Sequence, residues 1–315
     1  MGVHRRTVGI DLGSNTLRAV AYDCDTQRYD TPFGAIVRTA DGLAQSGRIS
    51  DAAQQRVIAA LGQMRAVIDC DGATVRAVTT EAMRRAENAA EVREHIAAET
   101  GIAFAIIDGD EEARCTLHAV RHRLNMLEPT GACDRMVLVD IGGGSTELIF
   151  AYEDGTMIAR SFPLGIVTLT QSHRDLAAMR EALPDAMRPI ERFVAEIYFD
   201  GGRPDRFVAT AGTPTSIAAV EMGMTYATYD PARINGARID RHTPERVLDR
   251  LHAVPFAARE QMVGVGRADL VCAGIVIFER LYHILGMETC TVIDDGLREG
   301  VALSLCRGAS DSGLG

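Results

Sequence analysis

The chain has 315 residues, 47% of them apolar, which is enough for two domains with separate cores. Its net charge of −10 argues against a general nucleic-acid binder, and no apolar run approaches the roughly 18 residues of a membrane span. All 33 basic residues are arginine, which excludes a P-loop and Schiff-base chemistry and leaves Arg as the phosphate anchor.

The chain opens on a predicted strand (7–12) with no signal-like apolar segment before it, so a cytoplasmic protein is expected. Asp11-Leu12-Gly13-Ser14-Asn15-Thr16 ends that strand in a small-residue turn, and a second strand (17–23) follows. Then come a strand at 33–39, a helix at 51–69 capped by Ser50 or Asp51, a strand at 74–80, a helix at 88–100 stopped by Gly101, and a strand at 103–107. A helix from about Asp110 to Leu127 would join two halves. The second half opens on the same sentence: strand 136–141 ending in Asp140, the turn Gly142-Gly143-Gly144-Ser145, and strand 145–152. Strand 157–162, helices 165–172 and 175–198, strand 206–211 and a helix from Thr213 or Pro214 follow. Residues 223–242 read as a loop. Helices 244–253 and 267–285, strand 289–293 and helix 296–306 complete the chain, with a small polar tail from Gly308. Alternating strands and helices give an α/β fold.

One Asp-x-Gly turn is weak evidence, because hairpins use such residues for turn geometry alone. Two copies, each opening one half, predict two related lobes that clamp phosphate. Glycines admit a close ligand, turn amides and hydroxyls hold phosphate oxygens, and the aspartates suit a divalent metal. The seven cysteines are odd in number and lack a Cys-x-x-Cys pair, which predicts free thiols, with Cys272 and Cys290 as small core residues. Cys115, His118 and His122 fall on one helix face, and read as a mixed face rather than a metal site.

The turns, with Thr80-Glu81-Ala82-Met83-Arg84, Gly109-Asp110-Glu111-Glu112-Ala113, Glu147, Ala211-Gly212-Thr213 and Gly296-Leu297-Arg298-Glu299-Gly300, resemble the exopolyphosphatase/guanosine pentaphosphate phosphatase family of the actin–hexokinase–Hsp70 fold. The resemblance covers almost the whole chain, in its short form without the extra helical HD-type domain. It implies two actin-like (ribonuclease H-like) domains with mixed sheets flanked by helices, and an active site in the cleft between them. The expected domains are 1–127, completed by helix 296–308, and 128–295. The implied activity is release of terminal phosphate from inorganic polyphosphate. The alternatives are hydrolysis of guanosine pentaphosphate (pppGpp) to the tetraphosphate, or a non-catalytic nucleotide or alarmone sensor. A homodimer is also implied.

Hydrolysing a phosphoanhydride needs charge neutralisation, an aligned water and a base. Glu112 is the candidate base. Adjacent Glu111 is its rival on spacing alone, and the family resemblance selects Glu112. Asp140 and Glu147, with Asp11 holding metal-bound water or shaping its turn, would hold Mg²⁺ (or Mn²⁺), and Glu147 would also position the water. Gly13, Ser14, Asn15 and Thr16 would cradle one phosphate, Gly142, Gly143, Gly144 and Ser145 another, and Gly212 and Thr213 a third at a helix N-terminus. By resemblance Arg84 contacts the phosphate and stabilises transition-state charge, with Arg85 facing solvent. Arg18 and Arg267, placed near the start of helix 267–285, are weaker phosphate candidates.

Overall fold

The computed structural model describes residues 5–30, 32–128 and 135–307. The start of the chain before Arg5 and the tail expected from Gly308 lie outside the described residues. The chain divides into two compact units, residues 1–120 with 295–315, and 121–294.

The first unit begins with β1 (Arg6–Leu12), β2 (Thr16–Asp23), β3 (Arg28–Tyr29) and β4 (Phe33–Ile36). Helices α1 (Leu43–Ser46) and α2 (Asp51–Val67), strand β5 (Thr74–Thr79), helices α3 (Glu81–Arg85) and α4 (Ala89–Thr100), strand β6 (Phe104–Ile106) and helix α5 (Gly109–Leu127) follow. Ser50 caps α2 by accepting from the Ala53 amide, and Gly101, at φ 70°, ends α4 in the left-handed conformation. The sheet order is β3-β2-β1-β5-β6, with β4 also on β2. β1 is antiparallel to β2 and parallel to β5. It is therefore a central strand, and Val8, Ile10 and Leu12 are wholly buried.

The second unit repeats the plan. β7 (Met136–Ile141), β8 (Thr146–Ala151) and β9 (Met157–Phe162) form an antiparallel meander. α6 (Ile166–Ser172), α7 (Leu176–Gly201), β10 (Arg206–Thr210) and α8 (Gly212–Glu221) come next. A 3₁₀ turn at Tyr226–Thr228 precedes α9 (Pro231–Ile234), β11 (Ala237–Asp240), α10 (Thr243–His252), α11 (Phe256–Val263), α12 (Val271–Leu285) and β12 (Thr289–Val292). The sheet order is β11-β12-β10-β7-β8-β9. The run β8-β7-β10-β12 matches β2-β1-β5-β6 in order and direction. Its core centres on Phe207, Phe278 and Tyr282, whose rings stack edge-on or tilted 5.1–5.7 Å apart.

Helix α13 (Leu297–Arg307) returns to the first unit. It lies directly on β1 because Gly9 has no side chain: a Cβ there would sit 2.2 Å from the Arg298 carbonyl oxygen. Gly300 does the same toward α5, where a Cβ would fall 1.9 Å from the Cys115 oxygen. The Gly-Leu-Arg-Glu-Gly ending is thus a packing motif. It seats Leu297 and Val301 against Val78, Ile107 and Cys115.

Three expectations are corrected. Residues 223–242 are not a plain loop: β11 pairs with β12, burying Ala237 and Ile239 while Arg238 and Asp240 stay exposed. Four residues of alternation were too short to stand out. The helix placed at 267–285 starts at Val271, so Arg267 lies in the turn before it. The free-thiol expectation fails for one pair: Cys24 and Cys306 form a disulfide, with Cα atoms 5.8 Å apart. They are 282 residues apart in sequence, and meet because α13 packs along β1 and β2. Neither parity nor spacing carries that proximity. Cys70, Cys115, Cys272 and Cys290 are free; Cys133 lies outside the described residues.

Candidate functional site

The two small-residue turns have the same geometry. The Gly13 amide donates to the Thr16 carbonyl and the Gly142 amide to the Ser145 carbonyl, both at 2.9 Å. These two amides close the turns and are not offered to a ligand. The amides of Ser14, Asn15, Gly143 and Gly144 have no hydrogen-bond acceptor among the described residues, so each turn presents two adjacent free N–H groups. The first turn is held from behind: the Asn15 carbonyl accepts from the Val37 and Arg38 amides, and the Ser14 carbonyl from Ala40. Behind the second turn, the Gly142 and Gly143 carbonyls accept the first amides of α6. That seat requires Gly165, whose Cβ would lie 2.4 Å from the Gly143 oxygen.

Strand register decides what stands beside each turn. Asp140 faces Glu147 across β7–β8, Glu147 faces Ser161 across β8–β9, and Thr210 faces Asp140 across β10–β7. Directly opposed residues share a face, so Thr210, Asp140, Glu147 and Ser161 make one polar row. Glu147 is 3% exposed and accepts from the Ser161 hydroxyl at 2.7 Å. In the first unit the matching row is Val78, Asp11, Arg18 and Gly34. Burial pushes the Asp11 carboxyl up to about 6, with Arg18 and then Arg298 pulling it back.

At the same end of the first sheet, α3 and the start of α5 bring Arg84 to Glu112. Arg84 Nη1 donates to the Ile107 carbonyl at 2.8 Å and to Glu112 at 2.9 Å. Its Nε donates to Glu81 at 3.3 Å. Burial opposes the Arg84 charge, but Glu112 and then Glu81 outweigh it, so the guanidinium pKa is raised. Arg85 is exposed. Glu111 is tied instead to Arg76. Arg76 sits opposite Gly9, two residues short of the Asp11 level, so Glu111 is drawn back along the sheet. Asp108 starts α5 by accepting from the Glu111 amide at 2.7 Å.

In the second unit β10 ends at Thr210, and Ala211 takes a left-handed φ of 72° before α8. A non-glycine residue there is strained. The strain turns the chain sharply from sheet to helix and leaves Gly212 and buried Thr213 in the first turn. Among the described residues no three His, Cys, Asp or Glu side chains converge as a metal group. Cys115, His118 and His122 therefore form none. Sequence reasoning gave no role to Glu81, Ser161 or Thr210. For Ser161 and Thr210 only the register places them beside the acids, while Glu81 was legible as the i−3 neighbour of Arg84.

Duplicated α/β units, each with an Asp-ended strand and a tight small-residue turn, define an actin-like fold. The model of the Ppx/GppA phosphatase family matches residues 31–308, and this chain belongs to that family. Exopolyphosphatase 1 of Mycobacterium leprae (strain TN) is 27% identical over 312 residues, covering 93% of this chain and 87% of that protein. Exopolyphosphatase 2 of Mycobacterium tuberculosis (strain ATCC 25618 / H37Rv) is 29% identical over 332 residues, covering 95% and 98%. The solved PPX-GPPA enzyme of Aquifex aeolicus superposes with a TM-score of 0.75 at 29% identity, covering 96% of this chain and all of that one.

Proposed function

We propose that this chain is a metal-dependent exopolyphosphatase that releases terminal phosphate from inorganic polyphosphate in the cytoplasm. Membership of the Ppx/GppA phosphatase family, with exopolyphosphatases among its relatives over nearly the full length, supports the activity. The observation that carries the residue assignment is the Arg84–Glu112 pair at the carboxyl end of the first sheet, where α/β folds bind ligands. In this reading the domains are 1–127 with helix 296–308, and 128–295.

Glu112 is the general base. It takes a proton from water as the water oxygen bonds to the terminal phosphorus, and the bridging P–O bond breaks to release the shortened chain. Arg84 offsets charge on the phosphate oxygens. The free amides of Ser14, Asn15, Gly143 and Gly144, with Gly13, Thr16, Gly142, Ser145, Gly212 and Thr213 shaping the cradles, hold the substrate's phosphates.

The residues fit a divalent cation. Among the described residues Asp11 Oδ1 and Asn15 Oδ1 are buried without a hydrogen-bond donor, and Asp140 and Glu147, opposed across β7–β8, carry the hard oxygens such a cation takes. Asp140 and Glu147 would hold Mg²⁺ or Mn²⁺, with Asp11 reserved for metal-bound water, and the cation when bound would supply neutralising charge to phosphate oxygens.

The test is phosphate release from polyphosphate, with guanosine pentaphosphate run beside it, for wild type and Glu112→Gln. The expected result is metal-dependent release from polyphosphate that falls by at least about a hundredfold in the variant. No release from either substrate would sink the hydrolase reading. Preference for the pentaphosphate would change the substrate and leave the residues in place.

A further inference from the structure

Arg84 is gripped from two sides. On one edge, a single carboxylate oxygen of Glu81 lies 3.3 Å from Nε and 3.2 Å from Nη2. At the other end, Nη1 bonds both the Ile107 carbonyl and Glu112. Nη2 carries two N–H groups, and that Glu81 oxygen is its ion-pair partner among the described residues. The group is sheltered, with the Arg84, Glu81 and Glu112 side chains 20%, 16% and 12% exposed. An i,i+3 ion pair on an open helix face is worth little and fixes nothing. Here the helix is only five residues long, and its arginine leaves it to reach the start of α5.

We infer that Glu81 is a positioning residue of the reaction: by holding the Nε–Nη2 edge of Arg84 it directs Nη1 onto Glu112 and leaves the second N–H of Nη2 to meet a phosphate oxygen. This rests on the proposed role of Glu112 as base. Glu81 fixes the rotation of the guanidinium plane. It also shares the arginine's positive charge, so Glu112 does not receive all of it. A base that kept the whole charge of Arg84 would hold its proton less readily.

Other charged residues stand on the elements around Glu112. Arg76 of β5 binds Glu111, and Arg298 of α13 binds Glu299. Asp110 and Arg114 are on α5 itself, Asp11 lies near the end of β1 opposite Arg18, and Asp295 precedes α13. The Glu81 charge is the one that Arg84 connects to the base.

The experiment measures kcat and KM across pH for wild type, Glu81→Gln, Glu81→Ala and Glu112→Gln, with thermal unfolding to confirm folding. Glu81→Ala is expected to lose roughly ten- to a hundredfold in kcat, and the acidic limb of its kcat/KM profile to move to lower pH. Glu81→Gln keeps an acceptor for Nε but not the charge. It should retain more of the rate and still show the shifted limb. A rate loss with an unmoved limb in a folded variant would mean a structural role and overturn the inference, as would wild-type behaviour in both Glu81 variants. Retained activity in Glu112→Gln would overturn the base assignment, and the positioning role with it. Normal dependence on Glu112 with an unmoved Glu81 limb would overturn the positioning role alone.

Discussion

Arg18 stands directly opposite Asp11 across β1–β2, in the place that Glu147 takes opposite Asp140 across β7–β8. The two hairpins share a turn and a register, and differ in the sign of this one partner. The second hairpin therefore gathers two carboxylates, which suits a cation. The first sets a carboxylate against a guanidinium.

Even with Arg18 beside it, burial raises Asp11 from 3.8 to about 6. A carboxyl whose folded pKa is raised costs stability when ionised. The cost is absent below pH 3.8, grows as pH rises toward 6, and is complete above it. Asp11→Asn is thus expected to stabilise the metal-free protein by about 1–3 kcal/mol at pH 8 and by nothing below pH 4. Asp11 keeps some solvent contact, so the lower end is expected. Urea unfolding in EDTA at the two pH values checks it, and equal stabilities at pH 8 would contradict the buried-charge account.

The contact of α13 with β1 gives a sharper stability test. Gly9→Ala must push the Arg298 carbonyl away, because its Cβ would sit 2.2 Å from that oxygen. A loss of about 2–4 kcal/mol is expected. Gly62 of α2 is exposed with nothing within 4 Å of its Cβ position. Gly62→Ala should gain about 0.5–1 kcal/mol from helix propensity. Similar shifts in the two urea midpoints would mean that the glycine at position 9 is not a packing requirement.

Much of this was legible beforehand. The duplicated Asp-turn announced both hairpins, and apolar runs located the central strands of both sheets. What the sequence withheld was proximity. The Ser161–Glu147 contact depends on a register that no local pattern states. The Glu111–Arg76 and Glu112–Arg84 pairings depend on how α5 sits over β5, which two adjacent glutamates in a first turn do not reveal. Cys24 and Cys306 look like scattered thiols until α13 returns along the first sheet.

That disulfide ties the end of β2 to the last turn of α13, the helix that Gly9 and Gly300 admit. Linking residues so distant in sequence restrains the unfolded chain strongly. Reduction, or Cys306→Ser, is expected to cost about 2–4 kcal/mol in urea unfolding, with dithiothreitol having no effect on the variant. Unchanged stability on reduction would show that the glycine contacts alone hold α13. Alkylation of thiols in freshly lysed cells would also test the cytoplasmic assignment, since a pair found oxidised there argues for a less reducing setting.

Ser161 offers the most specific test of the acidic pair. Its hydroxyl donates to Glu147 at 2.7 Å from the neighbouring strand, and Glu147 is almost fully buried. A buried carboxylate without that donor loses a charge-assisted hydrogen bond and the fixed orientation of its oxygens. If Glu147 helps hold the cation, Ser161→Ala should weaken Mg²⁺ activation of phosphate release by about tenfold. Ser161→Thr keeps the hydroxyl and should stay within about twofold of wild type. The readout is the Mg²⁺ concentration at half-maximal rate, with saturating polyphosphate. A variant that loses rate at every Mg²⁺ concentration, with an unmoved midpoint, would remove Glu147 from the metal site and leave it the task of placing the attacking water.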